Sequence, residues 1–303
     1  MKLNIFYILL IFLLVGCASP EKDKNGKLYI VTTTGMLYDA VINIGKEKVD
    51  AQALMGPGVD PHLYKATQGD LSKLNQADVV IYNGLLLEGK MGDILKKLGR
   101  TKAVYAAAEQ IDQSTLLTSV QYENAYDPHI WFDVTIWKQA VTRISEALQS
   151  EDSVNSQFYQ QNTEVYLQRL DSLHEFVKTS ISSIPENQRI LVTAHDAFRY
   201  FGRAYDIRVE GLQGISTVSD FGLRDIAEIT DLIINNKIKA IFVETSVSDR
   251  AIKAVMQGCN ERGHDVKIGG YLYSDAMGKF GTYEGSYVGM IESNVKTITE
   301  ELK

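Results

Sequence analysis

The chain has 303 residues, 45% hydrophobic and 23% charged, with a formal net charge of −7. That is ordinary globular composition, and the length suggests about two domains. An acidic chain is a poor nucleic-acid binder, because phosphate attraction needs a basic face.

Lys2 precedes the apolar run "IFYILLIFLLV", which is too short to span a bilayer comfortably. Leu14-Val15-Gly16-Cys17 follows and resembles the bacterial lipobox, at which a peptidase cuts before the cysteine and lipid is attached to it. Residues 1–16 therefore read as a lipoprotein signal peptide, Cys17 as the lipidation site, and 17–27 as a lipidated polar tether. Only Cys259 then remains as a thiol. An internal disulfide and a thiolate metal site are both excluded, so any metal must be held by nitrogen and oxygen.

From 28 onward, β-branched runs alternate with amphipathic ones. "KLYIVTTTG" reads as a strand and "MLYDAVINIGK" as a helix, with apolar Leu37, Ala40, Val41 and Ile44 on one face. "VDAQALMG", "DVVIYNG" and "KAVYAAA" are further strands; "QGDLSKLNQA", "MGDILKKLG" and "VTIWKQAVTRISEALQ" are helices. Residues 151–185 contain no glycine and end at Pro185, a natural helix stop. Phe158, Val165, Leu170, Leu173, Val177, Ile181 and Ile184 recur there near the helical period. A helix of about 30 residues would be about 45 Å long, suited to a rigid connector. After Pro185 the alternation restarts with strands "RILVTAH", "RVEGLQG", "AIFVETS" and "VKIGGYLYSD" and intervening helices. Such alternation implies right-handed βαβ units on parallel sheets. The expected fold is α/β: two (β/α)4-type lobes, 28–150 and 186–303, joined by a single long linker helix over 151–185.

Ligands of open α/β sheets bind beyond the carboxyl ends of strands. His62 follows "AQALMG", His129 follows "KAVYAAA" after a longer loop, His195 ends "RILVTAH" and Asp275 ends "GYLYSD". Three imidazoles and one carboxylate suit a borderline dication such as zinc, with manganese feasible. Of five histidines, His62 and His129 both follow Asp-Pro. With 20 Asp and 5 Pro in the chain, chance places Asp-Pro before a given histidine on the order of once in a thousand. Proline fixes φ and stiffens its neighbours, so it presents the next side chain with little freedom to lose. Asp60 and Asp127 are readable either as acceptors for the second ring nitrogens or as turn formers. Glu244, ending "AIFVE", is the candidate acid behind the ligands, whereas His174 and His264 read as surface or turn residues. No metalloprotease, nucleophile-elbow or Walker pattern is present. Four protein ligands close a metal's shell and favour capture over catalysis. The rival readings are a zinc-dependent hydrolase and an adhesin-like surface lipoprotein with a structural metal.

"ALMGPGVDPHLY" (53–64), "DPHIWFD" (127–133), "VTAHDAF" (192–198) and "LYSDAMG" (272–278) together resemble the TroA-like (cluster A-I) metal-binding subunits of bacterial zinc/manganese ABC importers. "ADVVIYNGL", "GLQGIST" and "ERGH" extend the resemblance over essentially the whole mature chain. It implies an extracytoplasmic, monomeric solute-binding protein rather than an enzyme, carrying Zn²⁺ or Mn²⁺ on His62, His129, His195 and Asp275. A lipid on Cys17 would hold it at the membrane beside a cognate ABC permease, itself coupled to a cytoplasmic ATPase. Manganese members often have Glu at the third ligand, where His195 stands here, and dedicated zinc members often carry a His-rich loop before the second Asp-Pro-His. The segment "AEQIDQSTLLTSVQYENAYD" has no histidine, so these two features point to different ions.

Overall fold

The structure is a computed structural model that describes residues 26–119, 122–218 and 221–303. The expected signal peptide, Cys17 and nearly all of the expected tether lie outside these residues. The first half comprises β1 (Leu28–Thr32), α1 (Gly35–Gly45), β2 (Val49–Ala53), α2 (Gln68–Gln76), β3 (Val79–Tyr82), α3 (Gly92–Leu98), β4 (Ala103–Ala106) and α4 (Val134–Glu151). Helix α5 (Ser156–Ser182) follows. The second half comprises β5 (Ile190–His195), α6 (Arg199–Tyr205), β6 (Arg208–Gln213), α7 (Leu223–Asn235), β7 (Ala240–Glu244), α8 (Arg250–Glu261), β8 (Lys267–Leu272) and α9 (Tyr287–Leu302).

Strands of the first half form one parallel sheet in the order β2-β1-β3-β4. Its central β1 carries Ile30 and Val31, both fully buried, as a doubly covered parallel strand requires. In the second half the four expected strands form two parallel ladders, β5-β6 and β7-β8. Strands β5 and β7 run side by side. A side chain ties their carboxyl ends, with Glu244 Oε1 accepting from the His195 amide at 2.8 Å. Each half therefore delivers its loops to one end of parallel strands.

Helix α5 has 27 residues and starts later than the glycine-free stretch suggested. Helix α4 runs through Glu151, and a 3-10 turn at Ser153–Asn155 intervenes. Asp152 makes the break: its Oδ2 accepts from the Tyr159 hydroxyl at 2.6 Å and from Asn155 Nδ2 at 2.7 Å. The buried stripe of α5 is Tyr159, Thr163, Tyr166, Leu170, Leu173, Val177 and Ile181. Val165, expected inside, is 66% exposed, while Tyr166 is buried. Tyr166 can turn inward because its hydroxyl donates to Asp39 Oδ2 at 2.8 Å.

One hydrophobic cluster runs through both halves, from Ile30, Val41 and Trp137 to Leu191, Phe198, Tyr287 and Ile298. The Trp137 and Tyr287 rings stack at 5.3 Å, and the Tyr287 hydroxyl donates to the Trp131 carbonyl at 2.7 Å. The halves are thus joined by a shared packed core and not by a strip of loop, which resists wide opening.

Asp133, the last residue of "DPHIWFD", caps α4: its Oδ1 accepts from the Thr135 amide at 2.9 Å and the Thr135 hydroxyl at 2.6 Å. Asp133→Ala is expected to cost about 1 kcal/mol of stability. Chemical denaturation of the metal-free chain measures this, and the variant should bind metal with unchanged stoichiometry.

Candidate metal centre

The four residues singled out from sequence converge. His62, His129, His195 and Asp275 each offer one ligand atom, all within 4.8 Å of one another, and all four side chains are buried. His62 Nε2 is 3.4 Å from His129 Nε2 and 3.6 Å from Asp275 Oδ2. His129 Nε2 lies 3.3 Å from Asp275 Oδ1, and His195 Nε2 lies 3.3 Å from Asp275 Oδ2. Two donors come from each half of the chain.

Local chemistry aims each side chain. His62 sits in the loop after β2, where Gly58 supplies a left-handed turn (φ +71°) that a side chain would strain. Asp60 Oδ1 accepts from the His62 amide at 2.8 Å. At the second Asp-Pro-His, Asp127 Oδ1 accepts from both the His129 amide at 3.0 Å and the His129 ring Nδ1–H at 2.8 Å. The two repeats are therefore unequal, since Asp127 fixes a ring tautomer and Asp60 only the backbone. Asn83 Nδ2 steadies the same loop by donating to the Pro128 carbonyl at 3.0 Å.

His195 ends β5, and its ring Nδ1 abuts Glu244 Oε2 at the end of β7. Beside it, a Cβ on Gly211 would fall 2.5 Å from the Asp196 amide nitrogen, so only glycine lets β6 approach this turn. Asp275 stands three residues beyond β8 rather than at its end. Trp131 Nε1 fixes that loop from the first half by donating to the Ser274 carbonyl at 3.1 Å. The remaining histidines are engaged elsewhere: His174 Nδ1 is 3.2 Å from the Tyr205 hydroxyl, and His264 Nε2 donates to the Ile238 carbonyl at 2.7 Å.

Both Asp275 oxygens and His195 Nε2 are buried without a hydrogen bond among the described residues. Buried polar atoms are nearly always satisfied, and a buried carboxylate calls for positive charge beside it, which the two imidazoles 3.3 Å away or a bound cation can supply. Burial pushes His62 down to about 3 against the pull of Asp275, so this ring is a neutral donor. Burial also acts to lower His129, but Asp127 and Asp275 outweigh it and raise the ring to about 9. His195 is likewise raised well above the ordinary histidine value, because Glu244 and Asp275 overcome burial. Burial acts to raise Asp275, but His195 and His129 hold it well below the usual carboxylate range.

Sequence reasoning missed three second-half residues that touch the two Asp-Pro-His aspartates: the Thr217 hydroxyl donates to Asp60 Oδ2, Arg199 Nη1 is 3.6 Å from Asp127 Oδ2, and the Tyr200 hydroxyl donates to the Asp127 carbonyl. Arg199, Tyr200 and Thr217 carry no signature of their own, although Thr217 ends the segment "GLQGIST".

A parallel α/β molecule that buries one nitrogen/oxygen cage, two donors from each half, is a binding protein for a metal ion. The family described as "zinc-uptake complex component A, periplasmic" matches residues 30–301, and the chain belongs to it. It is therefore a binding component of an uptake system, not an enzyme. The manganese-binding lipoprotein MntA of Bacillus subtilis is 48% identical over 294 residues, covering 96% of each chain. The zinc-binding protein TroA of Treponema pallidum is 45% identical over 284 residues, covering 94% of this chain and 92% of TroA. The solved structure of that periplasmic zinc-binding protein superposes with a TM-score of 0.89 over 91% of this chain and 99% of its own.

Proposed function

We propose that the protein captures one divalent transition-metal ion, Zn²⁺ and/or Mn²⁺, through the Nε2 atoms of His62, His129 and His195 and the carboxylate of Asp275. It then delivers the ion to a cognate ABC permease driven by a cytoplasmic ATPase. The observation that carries this reading is the four buried ligand atoms lying within 4.8 Å of one another. The relatives' names, one for manganese and one for zinc, support the choice of cargo. Imidazole suits zinc while carboxylate also suits manganese, and zinc binds more tightly at equal geometry. Four protein donors leave no open position for a reacting water.

Glu244 and Asp127 orient ligand rings and supply negative charge behind them. Glu244→Gln is expected to weaken metal binding about 10- to 100-fold, read by competition with a chromophoric chelator. Residues 28–150 and 186–303 act as the two metal-binding lobes, with 151–185 as the connector. Among the described residues no helix is long and apolar enough to cross a membrane. Independently of that, the lipobox-like Leu14-Val15-Gly16-Cys17 supports a lipid anchor on Cys17 for a monomer working outside the cytoplasm.

Metal-stripped mature protein is expected to gain thermal stability on adding Zn²⁺ or Mn²⁺, by mass action on the folded state. No shift with either ion would refute the reading. Elemental analysis of protein taken from its native envelope identifies the physiological ion.

A further inference from the structure

The paired Asp-Pro-His segments have a second property that ligation does not use. Each aspartate has two carboxylate oxygens, and in both one oxygen holds its own histidine while the other faces the opposite half. Asp60 Oδ1 takes the His62 amide, and Asp60 Oδ2 accepts from the Thr217 hydroxyl at 2.5 Å. Asp127 Oδ1 takes the His129 amide and ring, and Asp127 Oδ2 faces Arg199 Nη1 at 3.6 Å. That ion pair is longer than a hydrogen bond, and Asp127 Oδ2 has no hydrogen-bond partner among the described residues.

Both far-side residues are tied to the His195 end of the second half. Thr217 lies past β6, and its carbonyl accepts from Gln213 Nε2 at 2.9 Å. Gln213 is the residue that pairs with His195 across the β5-β6 ladder. Arg199 opens α6, four residues after His195, and its Nε is 3.7 Å from Asp196 Oδ2. Its Nη1 also donates to the Thr118 carbonyl of the first half at 3.1 Å. Neighbouring Tyr200 donates to the Asp127 carbonyl at 3.0 Å and accepts from the Leu117 amide at 3.1 Å. Two continuous chains of contacts therefore run from a second-half ligand to a first-half ligand.

We infer that Thr217 and Arg199 are positioning residues that make the orientation of His62 and His129 conditional on contact between the two halves. With the halves together, each aspartate is held at both oxygens and its histidine is aimed at the cage. When they part, Asp60 loses Thr217 and Asp127 loses Arg199, so both first-half ligands loosen at once. Metal release is then a cooperative consequence of separation and does not require each bond to break independently. The inference rests on the metal-capture reading above.

The test is stopped-flow metal dissociation from Zn²⁺-loaded full-length mature protein into excess chelator, with affinity measured by chelator competition. Thr217→Val is expected to speed dissociation about tenfold, the scale of one lost hydrogen bond to a charged group. Thr217→Ser, which keeps the hydroxyl, is expected to stay within about twofold of the natural chain. In an Asp60→Asn background Thr217→Val should add little, because the two act through one contact. Arg199→Met paired with Asp127→Asn repeats the test and serves if Thr217→Val fails to fold. Unchanged dissociation in Thr217→Val or Arg199→Met, equal impairment by Ser and Val, or simple additivity with the aspartate variants overturns the inference. A natural chain that takes up no metal overturns the capture reading and this inference together.

Discussion

Asp275→Ala is expected to lower metal affinity by at least about a hundredfold, because removing one partner of a buried charged group costs about 3–5 kcal/mol. Asp275 is the only carboxylate of the cage, and all three ligand imidazoles crowd it within 3.6 Å. Without it, a dication would face three neutral donors inside a buried cage, and its charge would go unmatched at close range. His264→Ala is the matched control: its ring already bonds the Ile238 carbonyl, and it should leave affinity unchanged. Chelator competition on both variants decides the matter, and equal losses would overturn the ligand set.

Affinity is also expected to fall steeply on acidification, and the direction follows from the rings. In the metal-free protein His129 is raised to about 9 and His195 well above its ordinary value. Each directs Nδ1 at a carboxylate, Asp127 or Glu244, so the proton lost on binding is the one on Nε2 facing Asp275. Below about 9 the metal-free state thus holds more protons than the metal-bound state. Affinity then rises with pH and drops as pH falls, by about tenfold per pH unit for each proton released. With both rings contributing, two protons leave as one dication enters, and the charge of the buried site stays constant. Calorimetry in buffers of different ionisation enthalpy should count about two protons released near neutral pH. A dissociation constant that is flat between about pH 6 and about pH 8 would contradict this assignment.

The sequence made the strand-helix alternation legible because the periodic apolar pattern is local. The four cage residues also stood out, since they fall at or just beyond strand ends and two of them share Asp-Pro. What stayed hidden depends on distant partners. Val165 and Tyr166 exchanged places because the Tyr166 hydroxyl finds Asp39, 127 positions away. The start of α5 was obscured because Asp152 breaks the helix through side-chain bonds, with no glycine or proline to mark it. The second half carries two ladders rather than one sheet, a pairing that strand propensity does not encode. Thr217 and Arg199 were silent for the same reason, because each becomes informative only when the far half is folded against it.

The central claim is that one metal ion sits among three imidazoles and one carboxylate between the two halves of the chain. X-ray absorption at the metal edge, on protein loaded with one equivalent of Zn²⁺, tests it most directly. The predicted shell holds nitrogen and oxygen only, with imidazole scattering from three rings, and it loses an oxygen scatterer on Asp275→Ala. A shell without imidazole scattering, or one identical in the Asp275→Ala protein, would contradict it.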